Sequence, residues 1–223
     1  MNYSATSALL VFLACSSCTQ VYYSALEKVG IHKRHILRAR VKAGQKEQEQ
    51  ASKQFESALQ QFKSVVNFSG GELEDKYNKL QSEYDSCKSK AATVKTRITS
   101  IEKVALDLFA EWKAEIEQFQ SEDLKRRSHE SRLKSREQYA RLITAMRKAE
   151  SKMGPVLSIF KDNVLFLKHN LNAQAIKPLP LRMTSIIAWL KGQVVTIETN
   201  VAELIKEMEV SIAEAREFIG TME

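Results

Sequence analysis

Apolar residues recur along this chain at alternating steps of four and three. The clearest series is Leu73, Tyr77, Leu80, Tyr84, Cys87, Ala91, Val94, Ile98, Ile101, Ala105, Leu108 and Trp112, and it continues to Ile116 and Phe119. A strand repeats every two residues, so this spacing predicts one long helix with a coiled-coil-like seam. The C-terminal segment repeats it with Met183, Ile187, Leu190, Val194, Ile197, Val201, Leu204, Met208, Ser211, Ala215 and Phe218. A third series runs Tyr139, Leu142, Met146, Ala149, Met153, Leu157, Phe160, Val164, Leu167 and Leu171. The first helix shows a shorter one, Ala51, Phe55, Ala58, Phe62 and Val65, after a polar stretch from Lys42 to Gln50. Its upper half is therefore expected to pack better than its lower half.

The breaks between these series are legible. Asn67-Phe68-Ser69-Gly70-Gly71 reads as a turn in which glycine supplies positive φ after a helix. Ser121 is placed to cap a new helix, and Glu122 and Asp123 suit its positive end. Pro178 and Pro180 forbid a continuous helix through the break from Asn170 to Pro180. Gly154-Pro155 lies inside the third series and predicts a kink, or a restart with proline in the first turn. A narrow apolar stripe cannot stabilise a lone helix, and short turns make neighbours antiparallel. The expected fold is all-α: an elongated antiparallel four-helix bundle with coiled-coil-like seams, forming a single unit over 24–220. Its helices lie near 24–67, 72–119, 122–170 and 181–220, and it follows an N-terminal signal segment. The lower end holds the N-terminus, the 119–123 turn and the C-terminus. The upper end holds the 67–71 turn and the 170–180 loop.

The N-terminal segment adds a compartment. Ala8 to Ala14 is wholly apolar and is followed by Cys15-Ser16-Ser17-Cys18, the order of a bacterial lipoprotein signal. No Lys or Arg precedes Lys28, and the apolar core is too short for a transmembrane helix, which needs about 20 residues. Cys18 has the better pair of small residues before it, and Cys15 is the alternative. On this reading 1–17 is removed, 18–23 is a lipidated linker, and lipidation falls on Cys18. The anchor then makes the membrane a partner of the chain. Cys87, the third cysteine, falls on an apolar seam and reads as a small buried hydrophobe.

Charge sharpens the lower end. The net charge is +7, with few breakers (7 Gly, 3 Pro), as suits long helices. Between Glu27 and Glu47 there is no acid, while 198–223 is acidic. Lys28, Lys33, Arg34, Arg38 and Arg40, with Lys125, Arg126, Arg127 and Arg132, form a candidate basic collar against anionic headgroups. Charge pairing within the bundle is the competing use of these residues. A polar block of Asp162, Asn163, Lys168, His169, Asn170 and Asn172 runs into the upper loop. It reads either as helix termination, with Asn170 or Asn172 left-handed, or as a partner-binding tip.

The motifs of common catalytic sites are missing. There is no G-x-x-x-x-G-K-[ST] phosphate loop and no Glu-x-x-His pair of a di-iron bundle. His32 and His35 stand one turn apart, but Lys33, Arg34 and Arg38 around them repel a cation. No catalytic residue, metal ligand or cofactor is assigned.

Three blocks carry a family resemblance. They are Val21 to Arg34 (Val-Tyr-Tyr-Ser-Ala-Leu-Glu-Lys-Val-Gly-Ile-His-Lys-Arg) after Cys18, Phe68 to Asp75 (Phe-Ser-Gly-Gly-Glu-Leu-Glu-Asp), and Asp162 to Ala173 (Asp-Asn-Val-Leu-Phe-Leu-Lys-His-Asn-Leu-Asn-Ala). The chain resembles the Gram-negative lipoproteins grouped as domain of unknown function 2959, and His35 departs from that pattern, where an acid is expected. The resemblance implies cleavage at Cys18 and brings no activity. Members are sometimes labelled DNA-repair ATPases, a label that the missing phosphate loop argues against. By analogy with lipoprotein sorting, Thr19 after the lipidated cysteine favours the outer membrane, with the bundle on its periplasmic face. The expected function is a non-enzymatic spacer or adaptor of the cell envelope, partnered by an unidentified envelope protein or a second copy. The alternatives are a cytosolic basic coiled-coil protein that binds nucleic acid, and a hydrolase or metalloprotein.

Overall fold

The structure is a computed structural model that describes residues 32–66, 73–176 and 180–222. Among these residues the chain forms four helices and no strand: α1 (Lys33–Val66), α2 (Leu73–Ile116), α3 (Glu122–Ile176) and α4 (Pro180–Gly220). The α3 N-terminus is capped as its sequence predicts. The Leu124 amide donates to Ser121 Oγ at 3.4 Å, and Glu122 and Asp123 fill the first turn. α4 opens on Pro180, where the missing N–H costs nothing.

Each helix packs against two neighbours in the ring α1, α2, α3, α4 and back to α1. Ion pairs between neighbours run in antiparallel order. Lys148 meets Glu207 at 2.9 Å and Lys152 meets Glu203 at 3.1 Å, while Arg147 meets Glu102 at 2.5 Å and Lys125 meets Glu117 at 2.7 Å. The expected four-helix bundle with coiled-coil-like seams is thus the observed fold.

The structure corrects the expected elements in two places. α1 is buried at Leu37, Val41, Gly44, Gln48, Ala51, Phe55, Ala58, Phe62 and Val65, an unbroken four-three series over its whole length. The expectation of a poorly packed lower half fails because two of its seam positions carry Gly44 and Gln48 instead of aliphatic residues. A Cβ on Gly44 would stand 2.9 Å from Ile101 Cδ1 and 3.5 Å from Met146 Cε, so the glycine lets α1 close on the side chains of α2 and α3. Gln48 is fully buried and accepts from Ser211 Oγ at 2.7 Å, joining α1 to α4 through a polar layer.

The second concerns α3. It runs through Gly154-Pro155 as one 55-residue helix, about 80 Å at 1.5 Å per residue, and does not restart there. Both residues are exposed, as is Ser151, whose carbonyl loses its donor to the proline on the side that water reaches. α3 also continues to Ile176, past the break expected at Asn170. Asn170 Nδ2 donates at 2.7 Å to the Phe166 carbonyl one turn back, a bond made inside a helix, and Leu171 keeps packing against the core.

The four helices do not end together at the base. Lys33, the first residue of α1, pairs with Glu111 at 2.6 Å, and Trp112 reaches Ser128 at 3.1 Å. Thr221 and Met222, just past α4, share a cavity wall with Ser135 and Gln138. By these markers the start of α3 at Glu122 lies about 20 Å beyond the end of α4 and about 10 Å beyond the first turn of α1. Among the described residues, α2 and α3 here form an overhanging two-helix hairpin.

Candidate functional site

Among the described residues, a cavity opens at the base where the bundle passes from four helices to two. On α3 the four-three spacing continues downward from Tyr139 through Ser135, Arg132, Ser128 and Lys125, so the seam positions persist but lose their apolar filling. Tyr139 is the last aromatic on this seam. Its ring lies 5.7 Å from that of Phe109 and 6.4 Å from that of Phe218, and burial pushes its hydroxyl up to about 12. Below it, a cavity of about 500 Å³ is lined by all four helices. Leu37, Leu108, Phe109, Trp112, Phe218 and Met222 supply its apolar wall, and His32, Lys33, Arg34, Glu111 and Glu115 its charged rim. Ser135, Gln138 and Thr221 complete it. The Trp112 indole N–H is satisfied by Ser128, which fixes the ring against α3.

Spacing alone did not single out this cavity, because it comes from where helices end relative to one another. The available signal was the run of polar seam residues Lys125, Ser128, Arg132 and Ser135 beneath an otherwise apolar series.

The collar residues divide between two levels. Lys33, Arg34, Arg38 and Arg40 occupy the first turns of α1, while Lys125, Arg126, Arg127 and Arg132 lie on the overhang. Many of their charges are met within the chain. Lys33 pairs with Glu111, and Arg40 donates to the Ser100 hydroxyl. Lys125 pairs with Glu117, Arg126 bridges Asp123 at 2.7 Å and Glu130 at 2.9 Å, and Arg127 meets Asp123 at 2.7 Å. The hydrogen bond from Lys125 holds the Glu117 carboxyl below its usual range, and Glu117 in turn raises the Lys125 ammonium. Arg132 is half-buried, and its Nε has no hydrogen-bond partner among the described residues. Lys28, Cys15 and Cys18 lie outside the described residues.

The polar block at the other end is brought onto one helix rather than a loop. Asp162, Lys168, His169 and Asn172 are exposed on α3 and Asn170 is half-buried. Asn163 is only 2% exposed and its Nδ2 donates to the Ile159 carbonyl, so it belongs to the core and not to a docking tip. Next to this block the Phe166 and Trp189 rings lie 4.0 Å apart across α3 and α4, with Trp189 partly exposed.

Cys87 is a free thiol with no exposed surface, and burial among apolar neighbours pushes it up to about 12. A thiol so placed is not a nucleophile at neutral pH. The His32 and His35 rings lie 5.7 Å apart, tilted at 58° to each other. Among the described residues no group of three or more His, Cys, Asp or Glu side chains is placed to hold a metal ion. Among the same residues no helix is long and apolar enough to cross a membrane.

Comparison with known protein families gives a match over nearly the whole chain. The family model described as "Protein of unknown function (DUF2959)" covers residues 22–222. No curated protein and no solved structure matches the chain.

Proposed function

We propose that this chain, which belongs to the DUF2959 family of proteins of unknown function, is a lipid-anchored spacer or adaptor of the cell envelope and not an enzyme. The observation that carries this reading is the N-terminal order of apolar run, small residues and Cys18, with the family match starting four residues later at Tyr22. A lipid on Cys18 would tether the base of the bundle to the periplasmic face of the outer membrane. The seams support a rigid element, since core residues follow one another along nearly the whole length of α1 and α4. A spacer also needs no catalytic group, and this reading asks none of the buried Cys87 or the paired charges.

On this reading the lipid, and not the basic collar, supplies most of the membrane attachment. Arg126 and Arg127 already sit beside Asp123 and Glu130 on an exposed surface, and such pairs leave little charge to offer a headgroup. Radiolabelled palmitate tests the anchor. Label on the wild type, lost in Cys18→Ala and kept in Cys15→Ala, is the expected result. A soluble cytosolic pool of uncleaved chain would overturn it.

A further inference from the structure

The base cavity is amphiphilic in a particular way. Its wall is apolar on three helices, with Leu37 from α1, Phe109 and Trp112 from α2 and Phe218 from α4. The polar atom of the indole is already taken by Ser128. The rim carries both signs of charge: bases on α1 face acids on α2, and Lys33 and Glu111 already form one such pair at 2.6 Å. Arg34 of α1 and Glu115 of α2 also stand on this rim. Both are exposed, and neither makes an ion pair among the described residues. A volume of about 500 Å³ falls in the lower part of the range of small-molecule sites and has room for one acyl chain rather than two.

We propose that this cavity binds a single-chain phospholipid with a zwitterionic headgroup. The acyl chain lies on the aromatic and aliphatic wall, the phosphate meets Arg34 at the α1 side of the rim, and the ammonium meets Glu115 at the α2 side. A purely anionic amphiphile would set its charge against Glu111 and Glu115, and a purely apolar ligand would leave the opposed rim charges unused. The inference rests on the cavity chemistry and stands apart from the anchor proposed for Cys18.

The test uses the full chain with Cys15→Ser and Cys18→Ser, so that no acyl group of its own competes, and with Trp189→Phe, which leaves Trp112 as the sole indole. Lysophosphatidylethanolamine is titrated below its micelle concentration while Trp112 emission is followed. A saturable shift to shorter wavelength at one lipid per chain is expected. Lysophosphatidylglycerol should bind more weakly, and phosphoethanolamine alone should give no shift. Glu115→Gln should weaken the zwitterionic lipid about threefold and leave the anionic one unweakened. Ser135→Leu, which places apolar bulk in the cavity, should abolish the shift with helical content unchanged by circular dichroism. Two results would overturn the proposal. One is a shift that fails to saturate or ignores both headgroup and Glu115→Gln, as adsorption of any amphiphile would. The other is an indole already shielded from acrylamide and unmoved by lipid, as when residues preceding His32 or a second copy fill the space.

Discussion

Replacing Gln48 by leucine should stabilise this protein, although the change removes a buried hydrogen bond. Gln48 and Ser211 are both fully buried, and Ser211 Oγ donates to Gln48 Oε1 at 2.7 Å. The amide has a second polar end. Gln48 Nε2 is buried with no partner among the described residues, so its donors remain desolvated and unmet. An unmet buried group costs about 1–3 kcal/mol, whereas a made hydrogen bond contributes only about 1 kcal/mol net. Gln48→Leu removes the unmet donors and adds an aliphatic side chain of similar size to a four-three seam. The Ser211 hydroxyl that loses its acceptor can turn to the Glu207 carbonyl of its own helix. The expected gain is about 1–2 kcal/mol. Ser211→Ala does the opposite, leaving Gln48 Oε1 unmet as well, and should cost about 1–3 kcal/mol. In a domain of this size each kcal/mol moves Tm by about 2–4 °C. Urea and thermal unfolding of the two single variants and the double variant would measure both effects, and the double should be at least as stable as wild type. The reasoning fails if Gln48→Leu destabilises as much as Ser211→Ala. That outcome would mean that a water inside the bundle satisfies the amide.

Other substitutions report on other parts of the structure. Gly44→Ala sets a helix-propensity gain of about 1 kcal/mol against the 2.9 Å approach to Ile101 and should come out near neutral in denaturant midpoint, while Gly44→Leu should lose about 1–3 kcal/mol or more. Cys87, pushed up to about 12, should resist iodoacetamide at pH 8 until denaturant is added, with its thiolate fraction lowered roughly a thousandfold; peptide mapping of the alkylated chain checks this. The same thiol and the Tyr139 hydroxyl have their folded values raised, so the unfolded chain loses these protons first. Stability should therefore fall as pH rises through about 9 to 12, read from midpoints across that range. Arg147 holds Glu102 with two hydrogen bonds and Glu150 with a third; Arg147→Met should lower the denaturant midpoint by the equivalent of about 1 kcal/mol, for a partly exposed network.

The fold was readable because the seams of α2, α3 and α4 are mostly apolar and keep one period for many turns. α1 was only half readable, since its seam passes through Gly44 and Gln48, residues whose type says loop or surface and whose burial depends on what faces them. Asn170 was not readable as helix interior for a related reason: its side chain bonds the Phe166 carbonyl one turn back, and Leu171 beyond it packs against the core, a tertiary contact that holds the helix on. Asp123 is a partner that spacing supplies, three and four residues before Arg126 and Arg127, but Glu111 and Glu117 meet Lys33 and Lys125 through the way helices and turn pack, which spacing does not give. The cavity depends on the same packing, because it begins where α1 and α4 stop.

The overhang has a mechanical consequence. Bending stiffness rises steeply with cross-section, so the described part of the rod, four helices thick and narrowing to two, is stiff along its shaft and compliant at that end. A sideways load on the molecule would flex the hairpin of α2 and α3 below Tyr139 before it bent the shaft. The strain would concentrate at the taper, where polar side chains replace the apolar seam and can slide past one another without opening a dry core.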